Sequence, residues 1–163
     1  MNSLGAPERE RCRLVRIEHI ALWTYDLDRC KRFYTSYFGA TAAPSYVNPS
    51  KGFESCFLSF SGGARLEAMK TTSLSLSASP SGTQPFGLTH LAISVGSEDV
   101  VDALTERLKN DGVTVLDGPH RTGDGYYEAV ILDPDGNRIE ICAERSTPNQ
   151  RLERPVTPPT DAT

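Results

Sequence analysis

The sequence contains an internal repeat, and this repeat restricts the fold more than any other feature of the chain. The segment EHIAL at residues 18–22 corresponds to THLAI at residues 89–93. Without a gap, FESCFLSFSGGARLEA at residues 53–68 lies over YYEAVILDPDGNRIEI at residues 126–141. Because the order of the segments and the offset between them are nearly the same, we expect two copies of one structural unit.

Each copy has the same order of predicted elements. A strand is followed by an amphipathic helix, which begins after the N-cap residue Asp26 in the first copy and after Ser97 in the second. Three extended runs follow each helix: TAAPSYV, ESCFLSF and ARLEAMK in the first copy, VTVLDG, YYEAVIL and NRIEICA in the second. The repeated Gly63 and Gly136 serve the tight turn before the last run. Each copy is therefore predicted to be a βαβββ module, and the fold class is α+β.

Composition divides the chain into these modules and three polar segments. We predict a disordered N-terminus at 1–12, a first module at 13–70, a Ser-rich linker at 71–86, a second module at 87–143 and a disordered Pro-rich tail at 144–163. The terminal segments carry too few large apolar side chains to offset the entropy of ordering them.

Charge and composition narrow the classes of partner. The net charge is -4 and no basic run is present, which argues against nucleic acid and anionic membranes and favours a small-molecule partner. Charged residues stand where a signal peptide needs an apolar core, and no stretch is long and apolar enough to span a bilayer, so we predict a cytoplasmic protein. The four cysteines form no C-x-x-C pair and are predicted to be free thiols.

Strand alternation places four repeated polar residues on one side. Aliphatic residues alternate with His19 and His90 near the start of each module, and with Glu67 and Glu140 in its last strand. If the aliphatic face packs under the helix, these four side chains lie on the opposite, open face. A single Glu or His there is commonly a solvated or hydrogen-bonded residue. However, two of only three histidines occupy matching places in the repeat, which favours a metal site.

The tandem modules, together with EHIAL, FYTSYFG, THLAISV and DPDGNRIEI, resemble the vicinal oxygen chelate superfamily over residues 13–143. This superfamily includes glyoxalase I, extradiol dioxygenases, methylmalonyl-CoA epimerase and the fosfomycin and bleomycin resistance proteins. The resemblance is to its glyoxalase-like branch. It implies the glyoxalase-like fold, in which tandem βαβββ modules form a cupped eight-stranded mixed sheet.

The resemblance also implies a site and a reaction. One divalent ion, Zn²⁺, Ni²⁺, Fe²⁺, Co²⁺ or Mn²⁺, is expected to be held by His19, Glu67, His90 and Glu140. The implied function is a metal-dependent glyoxalase-like lyase or isomerase that acts through a metal-chelated enediolate on a small substrate with vicinal oxygens. Glu140 is the expected catalytic base, with Glu67 as the second candidate. Similar bacterial proteins assemble as homodimers, so a homodimer is expected; whether the ligands come from one chain or two is left open by the sequence.

Two further residues are candidate substrate contacts. Trp23 stands where bacterial glyoxalase I has an arginine that grips glutathione, which argues against glutathione recognition and suggests a stacking wall. Tyr126 follows the segment GPHRTGDG, a predicted mobile loop that contains His120.

Two alternative functions are compatible with the resemblance. An extradiol-type ring-cleaving dioxygenase uses two His and one carboxylate on iron, and the fourth predicted ligand argues against it. A non-catalytic resistance-type ligand-binding protein usually lacks the metal ligands that this sequence retains.

Overall fold

The computed structural model describes residues 15–74 and 86–144 and contains two modules of the predicted type. The first comprises β1 (His19–Trp23), α1 (Leu27–Phe38), β2 (Thr41–Ala42), β3 (Tyr46–Asn48), a 3-10 turn (Pro49–Lys51), β4 (Phe53–Ser59) and β5 (Arg65–Thr71). The second comprises β6 (Leu91–Gly96), α2 (Glu98–Asn110), β7 (Val115–Arg121), β8 (Tyr127–Leu132) and β9 (Arg138–Ala143). The predicted α+β class with tandem βαβββ modules is confirmed.

The first sheet has the order β1-β5-β4-β2, with β3 also paired to β4, and the second has the order β6-β9-β8-β7. β1 runs parallel to β5 and β6 parallel to β9, while the other pairs are antiparallel. The predicted run TAAPSYV is divided into β2 and β3 around Pro44, whose missing N–H cannot contribute to a strand ladder. Each module thus presents its last strand, β5 or β9, beside its first.

The described residues contain nine strands in a five-stranded and a four-stranded mixed sheet, one more than the eight expected, because one predicted run is divided into β2 and β3. β1 and β6 each lie at a sheet edge and do not pair with each other. The modules contact each other instead through side chains: Thr24 and α1 meet the turn between β8 and β9, and Tyr37 of α1 meets Asp111 at the end of α2. Within the part of the chain that the structure describes, the outer edges of β1 and β6 therefore have unpaired backbone groups.

Both helices begin and pack as their sequences predict. The Asp26 side chain accepts a hydrogen bond from the Arg29 N–H at 2.9 Å, and the Ser97 hydroxyl caps α2 in the same way. Gly39, in the left-handed conformation at φ 64°, ends α1. The apolar face of each helix covers the aliphatic face of its own sheet, and the core includes the fully or nearly fully buried Leu66, Ala68, Ile139 and Ile141. The predicted alternation of the faces is confirmed.

A carboxylate of the second module anchors the first. Asp135, in the turn between β8 and β9, accepts hydrogen bonds from the Thr24 hydroxyl at 2.6 Å, the Tyr25 N–H at 3.2 Å and the Arg29 guanidinium at 2.8 Å. Its neighbour Asp133 accepts a bond from the buried Tyr34 hydroxyl at 3.0 Å. These contacts fix how one module lies against the other.

Several predictions concern residues that the structure does not describe. Outside the described residues lie the N-terminus predicted to be disordered (1–12), most of the predicted linker (75–85) and nearly all of the tail predicted to be disordered (145–163). Within the described ranges, neither helix has the length and hydropathy needed to cross a bilayer. The three described cysteines, Cys30, Cys56 and Cys142, are free thiols, as expected.

Candidate functional site

The first module brings His19 and Glu67 together on the open face of its sheet. β1 and β5 are parallel neighbours, with His19 opposite Arg65 and Ala21 opposite Glu67, so the two side chains are diagonal neighbours on one face. The His19 Nε2 atom lies 3.7 Å from the Glu67 Oε2 atom. The imidazole is partly exposed and the carboxylate is more buried. This is the parity that the sequence predicts.

The second module repeats the arrangement with His90 and Glu140. Ala92 of β6 lies opposite Glu140 of β9, so His90 is again the diagonal neighbour of the carboxylate. The His90 Nε2 atom is 3.2 Å from the Glu140 Oε2 atom. The repeat in the sequence therefore corresponds to a repeat of one His–Glu pair in space.

The residue before each histidine contacts the Nδ1 atom of the imidazole. The Glu18 carboxylate contacts His19 Nδ1, and the Thr89 hydroxyl lies 3.1 Å from His90 Nδ1. These contacts leave Nε2 facing the carboxylate in both modules, which is the arrangement in which an outer partner fixes the tautomer and orientation of a ligating imidazole. Sequence reasoning missed Glu18 and Thr89, although a polar residue preceding both repeated histidines was a visible signal.

Glu18 also pairs with an arginine. Its carboxylate also pairs with the Arg65 guanidinium, which stacks over the Phe57 ring at 4.0 Å from the ring centroid. The hydrogen bonds from His19 and then from Arg65 hold the pKa of Glu18 below its ordinary value. Glu18 therefore stays ionised beside His19, as an orienting partner must.

The two pairs do not converge within one chain. Among residues 15–74 and 86–144, no three His, Cys, Asp or Glu side chains gather closely enough to hold one ion. Each pair nevertheless offers one imidazole nitrogen and one carboxylate oxygen, which are donors suited to Zn²⁺ and to other first-row divalent ions. The donor chemistry fits a divalent metal as two half-sites, each with two of the four predicted ligands.

The surroundings of the first pair are aromatic. Phe57, opposite Glu67 on β4, meets the His19 ring edge-on with 5.4 Å between centroids. Further along the same face, Trp23 packs edge-on against Phe53 at 6.4 Å. Trp23 thus lies on the face that carries His19 and Glu67, but its predicted contact with substrate is not tested by the structure.

The surroundings of the second pair are acidic. Burial, followed by the charge of Glu140 and a hydrogen bond with it, raises the pKa of Glu128 on the neighbouring strand β8. Burial and the same two carboxylates raise the pKa of the buried Cys142 thiol. Glu128 is a further residue that the sequence analysis did not single out, because the matching position in the first module is Ser55 and not a carboxylate.

One loop prediction is wrong. His120 lies in β7, opposite Glu128, and not in a mobile loop. The strand continues past Gly118 and Pro119 because register shifts between β7 and β8 absorb them. Tyr126 does lie in the turn that follows, where its N–H donates to the Thr122 hydroxyl at 3.0 Å. Its role in substrate binding stays a prediction.

Comparisons with known proteins agree with the fold. Residues 16–141 match the family model of the Glyoxalase/Bleomycin resistance protein/Dioxygenase superfamily. A lactoylglutathione lyase of Arabidopsis thaliana is 31% identical over 135 residues, which are 82% of this chain and 46% of that protein. The chain thus spans about half the length of the curated relatives it matches.

Solved structures give the same picture. Glyoxalase I of Zea mays is 25% identical with a TM-score of 0.64, and the match covers 82% of this chain and 46% of that one. A glyoxylase/bleomycin resistance protein/dioxygenase domain of Frankia is 21% identical with a TM-score of 0.67 and supports the fold alone, over 80% of this chain and 98% of that one. Because the family model matches most of the length of this chain, the chain belongs to the Glyoxalase/Bleomycin resistance protein/Dioxygenase superfamily.

Proposed function

We propose that the protein is a metal-dependent glyoxalase-like lyase or isomerase that acts on a small substrate with two adjacent oxygen atoms. The observation that carries the proposal is the matched pair of half-sites, with Nε2 to Oε2 distances of 3.7 Å in the first module and 3.2 Å in the second. The similarity to a plant lactoylglutathione lyase supports the same class of reaction. The proposed location is the cytoplasm.

The proposed form of the protein is a homodimer in which two chains complete each site. One chain offers a His19–Glu67 pair and a His90–Glu140 pair that do not meet, so a site with four ligands needs a second copy. The edge strands β1 and β6, which stand next to these pairs, have unpaired outer edges in the described structure. An isologous dimer that sets β1 of one copy beside β6 of the other would complete two equivalent sites.

His19, Glu67, His90 and Glu140 would hold the ion. A bound divalent cation supplies Lewis acidity toward two adjacent oxygens of a substrate. Glu140 is the proposed base: its carboxylate takes a proton from the carbon that bears one oxygen and returns it to the neighbouring carbon. Glu67 is the second candidate for this role. Proton transfer of this kind contributes about 10²- to 10⁴-fold to a reaction rate, so loss of the base alone is expected to lower turnover by a similar factor.

The test separates metal binding from proton transfer. Protein purified without a histidine tag is analysed for divalent metals and then supplied with hemithioacetals of 2-oxoaldehydes. We expect a bound divalent metal and turnover in the wild type. Glu140→Gln keeps most of the metal and loses at least about a hundredfold in turnover, whereas Glu106→Gln on the exposed face of α2 serves as the matched control with both properties intact.

Two results would count against the proposal. Unchanged turnover in Glu140→Gln would remove Glu140 as the base. Wild-type protein that takes up no divalent metal would remove the metal-dependent reaction as a whole. Oxygen uptake with a catechol and Fe²⁺ would instead favour the ring-cleaving alternative.

A further inference from the structure

We propose that the open face of the first sheet recognises an uncharged aromatic group, so that the substrate is an aryl compound with two adjacent oxygens. The recognising surface, here called the aromatic wall, consists of Trp23, Tyr46 and Phe53. The inference rests on the proposed function, because it assumes that His19 and Glu67 on the same face take part in holding the oxygens of the substrate.

The rings of the aromatic wall contact one another and remain open on one side. Phe53 lies between the other two, with 6.4 Å to the Trp23 centroid and 6.3 Å to the Tyr46 centroid. Trp23 is nevertheless 47% exposed and Tyr46 is 57% exposed. Large apolar rings that are grouped, held by their neighbours and left in contact with water are typical of a binding surface.

The aromatic wall stands on the face of the half-site and begins close to it. Trp23 lies opposite Met69, and Met69 is two residues beyond Glu67 on β5. Residues two apart in a strand project from the same face with Cα atoms about 7 Å apart. An aromatic ring attached to a carbon that bears one of the two oxygens, or one bond further away, would extend over this distance toward Trp23.

Among the described residues, the strands of the first sheet carry no cation that is free to pair with an anionic substrate on this face. The strands β1, β3, β4 and β5 contain only two basic residues, Arg65 and Lys70. Arg65 is paired with Glu18 and stacked on Phe57, while Lys70 projects to the other face of the sheet, next to Glu54. An uncharged ring therefore matches this surface better than a group that carries carboxylates.

The test uses two ligands that share the same hydroxyketone and differ only in the group attached to it. Trp23 is the only tryptophan of the chain, so its fluorescence reports directly on the aromatic wall. Metal-loaded dimeric protein is titrated with 2-hydroxyacetophenone and with hydroxyacetone, and affinities are measured by fluorescence and by calorimetry. We expect the aryl ketone to bind at least about tenfold more tightly, with quenching of Trp23.

Variants locate the preference. Phe53→Leu and Tyr46→Ser are each expected to lower the affinity ratio below about threefold; Tyr46 is exposed, so its replacement leaves the fold intact even if Phe53→Leu does not. Phe86→Leu, the same change at a fully exposed ring outside the aromatic wall, leaves the ratio unchanged. A wild-type ratio near one, a ratio unaffected by Tyr46→Ser, or no binding of either ketone overturns the inference.

The outcome is separable from that of the proposed function. Turnover of 2-oxoaldehyde adducts with no aryl preference leaves the proposed function in place and removes the aromatic wall as a substrate contact. Preferential binding of the aryl ketone with quenching of Trp23, in a protein that shows no turnover, supports the aromatic wall as a binding surface and removes the proposed enzymatic function.

Discussion

Tyr34 joins the two modules through one buried hydrogen bond, and its replacement by phenylalanine tests how the modules are held together. The Tyr34 side chain is fully buried at 0% exposure, Asp133 is 5% exposed, and the hydroxyl donates to Asp133 Oδ2 at 3.0 Å. Tyr34→Phe removes this donor and keeps the ring in the core. The expected effect is therefore the loss of one charge-assisted hydrogen bond without a cavity.

The size of the effect follows from what Asp133 retains. Its Oδ1 atom accepts bonds from the N–H groups of Asp135 and Asn137 at 2.9 and 2.8 Å, and its Oδ2 atom keeps the Asn137 amide at 2.9 Å. A hydrogen bond to a charged group contributes about 1.5–3 kcal/mol, and three remaining donors place this case near the lower end, about 1.5 kcal/mol. For a domain of this size the melting temperature should fall by about 3–6 °C.

The matched control lies one helical turn away. Tyr37 makes the same type of bond, with its hydroxyl donating to Asp111 at 2.9 Å, but at the surface. Tyr37→Phe is expected to cost less than about 0.5 kcal/mol, because water replaces the lost partner. Free energies of unfolding from denaturant titration compare the two variants. Tyr34→Phe no more destabilising than Tyr37→Phe would refute the reasoning.

The same pair predicts a pH dependence. Burial, and after it the charge of Asp133, raises the pKa of Tyr34 above its ordinary value of 10.0. Since the folded state holds this proton more tightly than the unfolded state, the stabilisation is complete below pH 10 and falls as the pH rises further. Tyr34→Phe has no such proton, so the gap in stability between wild type and variant narrows above pH 10. A gap that stays constant from pH 8 to well above pH 10 contradicts the prediction.

Three further predictions follow from single residues. Glu18→Ala is expected to lower metal affinity by about ten- to a hundredfold. Thr89→Val is expected to lower it by less, because a hydroxyl is a weaker partner of the imidazole than a carboxylate. Competition with a chromophoric chelator measures both affinities, and equal losses would contradict this order. Burial raises the pKa of Cys30 to about 12, so a thiol reagent at pH 8 should label it only after denaturation, and labelling in the native protein would show the burial to be wrong. Gly136 has φ 86°, so Gly136→Ala should cost about 1–2 kcal/mol in denaturant titrations against nearly nothing for Gly62→Ala, and equal costs would exclude backbone strain as the cause.

Local periodicity explains why so much of the fold was predictable. Strand alternation alone assigns Leu66 and Ile139 to the buried face and Glu67 and Glu140 to the open face, because side chains in a strand alternate whatever the tertiary arrangement. The N-cap interaction is likewise local, because the Asp26 side chain accepts its hydrogen bond from Arg29, three residues further along the chain. Signals of this kind are contained in short stretches of sequence.

Contacts between distant segments explain what was missed. The separation of the two half-sites depends on how the modules meet, and that is set by Asp135 with Thr24 and Arg29, which are more than a hundred residues away in sequence. No repeat or periodic pattern marks these residues. His120 was misplaced for a related reason, since its strand is held by pairing with β8 despite the Gly-Pro that precedes it.

The central claim is that a His19–Glu67 pair and a His90–Glu140 pair from different copies form one site. Two differently tagged full-length chains, one carrying His19→Ala and the other His90→Ala, are coexpressed, and the mixed dimer is isolated through both tags. If each site takes one half from each copy, the mixed dimer has one fully native site, so it should bind about one metal ion and show about half of the wild-type turnover, while each parent variant shows almost none. A mixed dimer as inactive and as poor in metal as its parents would contradict the shared site.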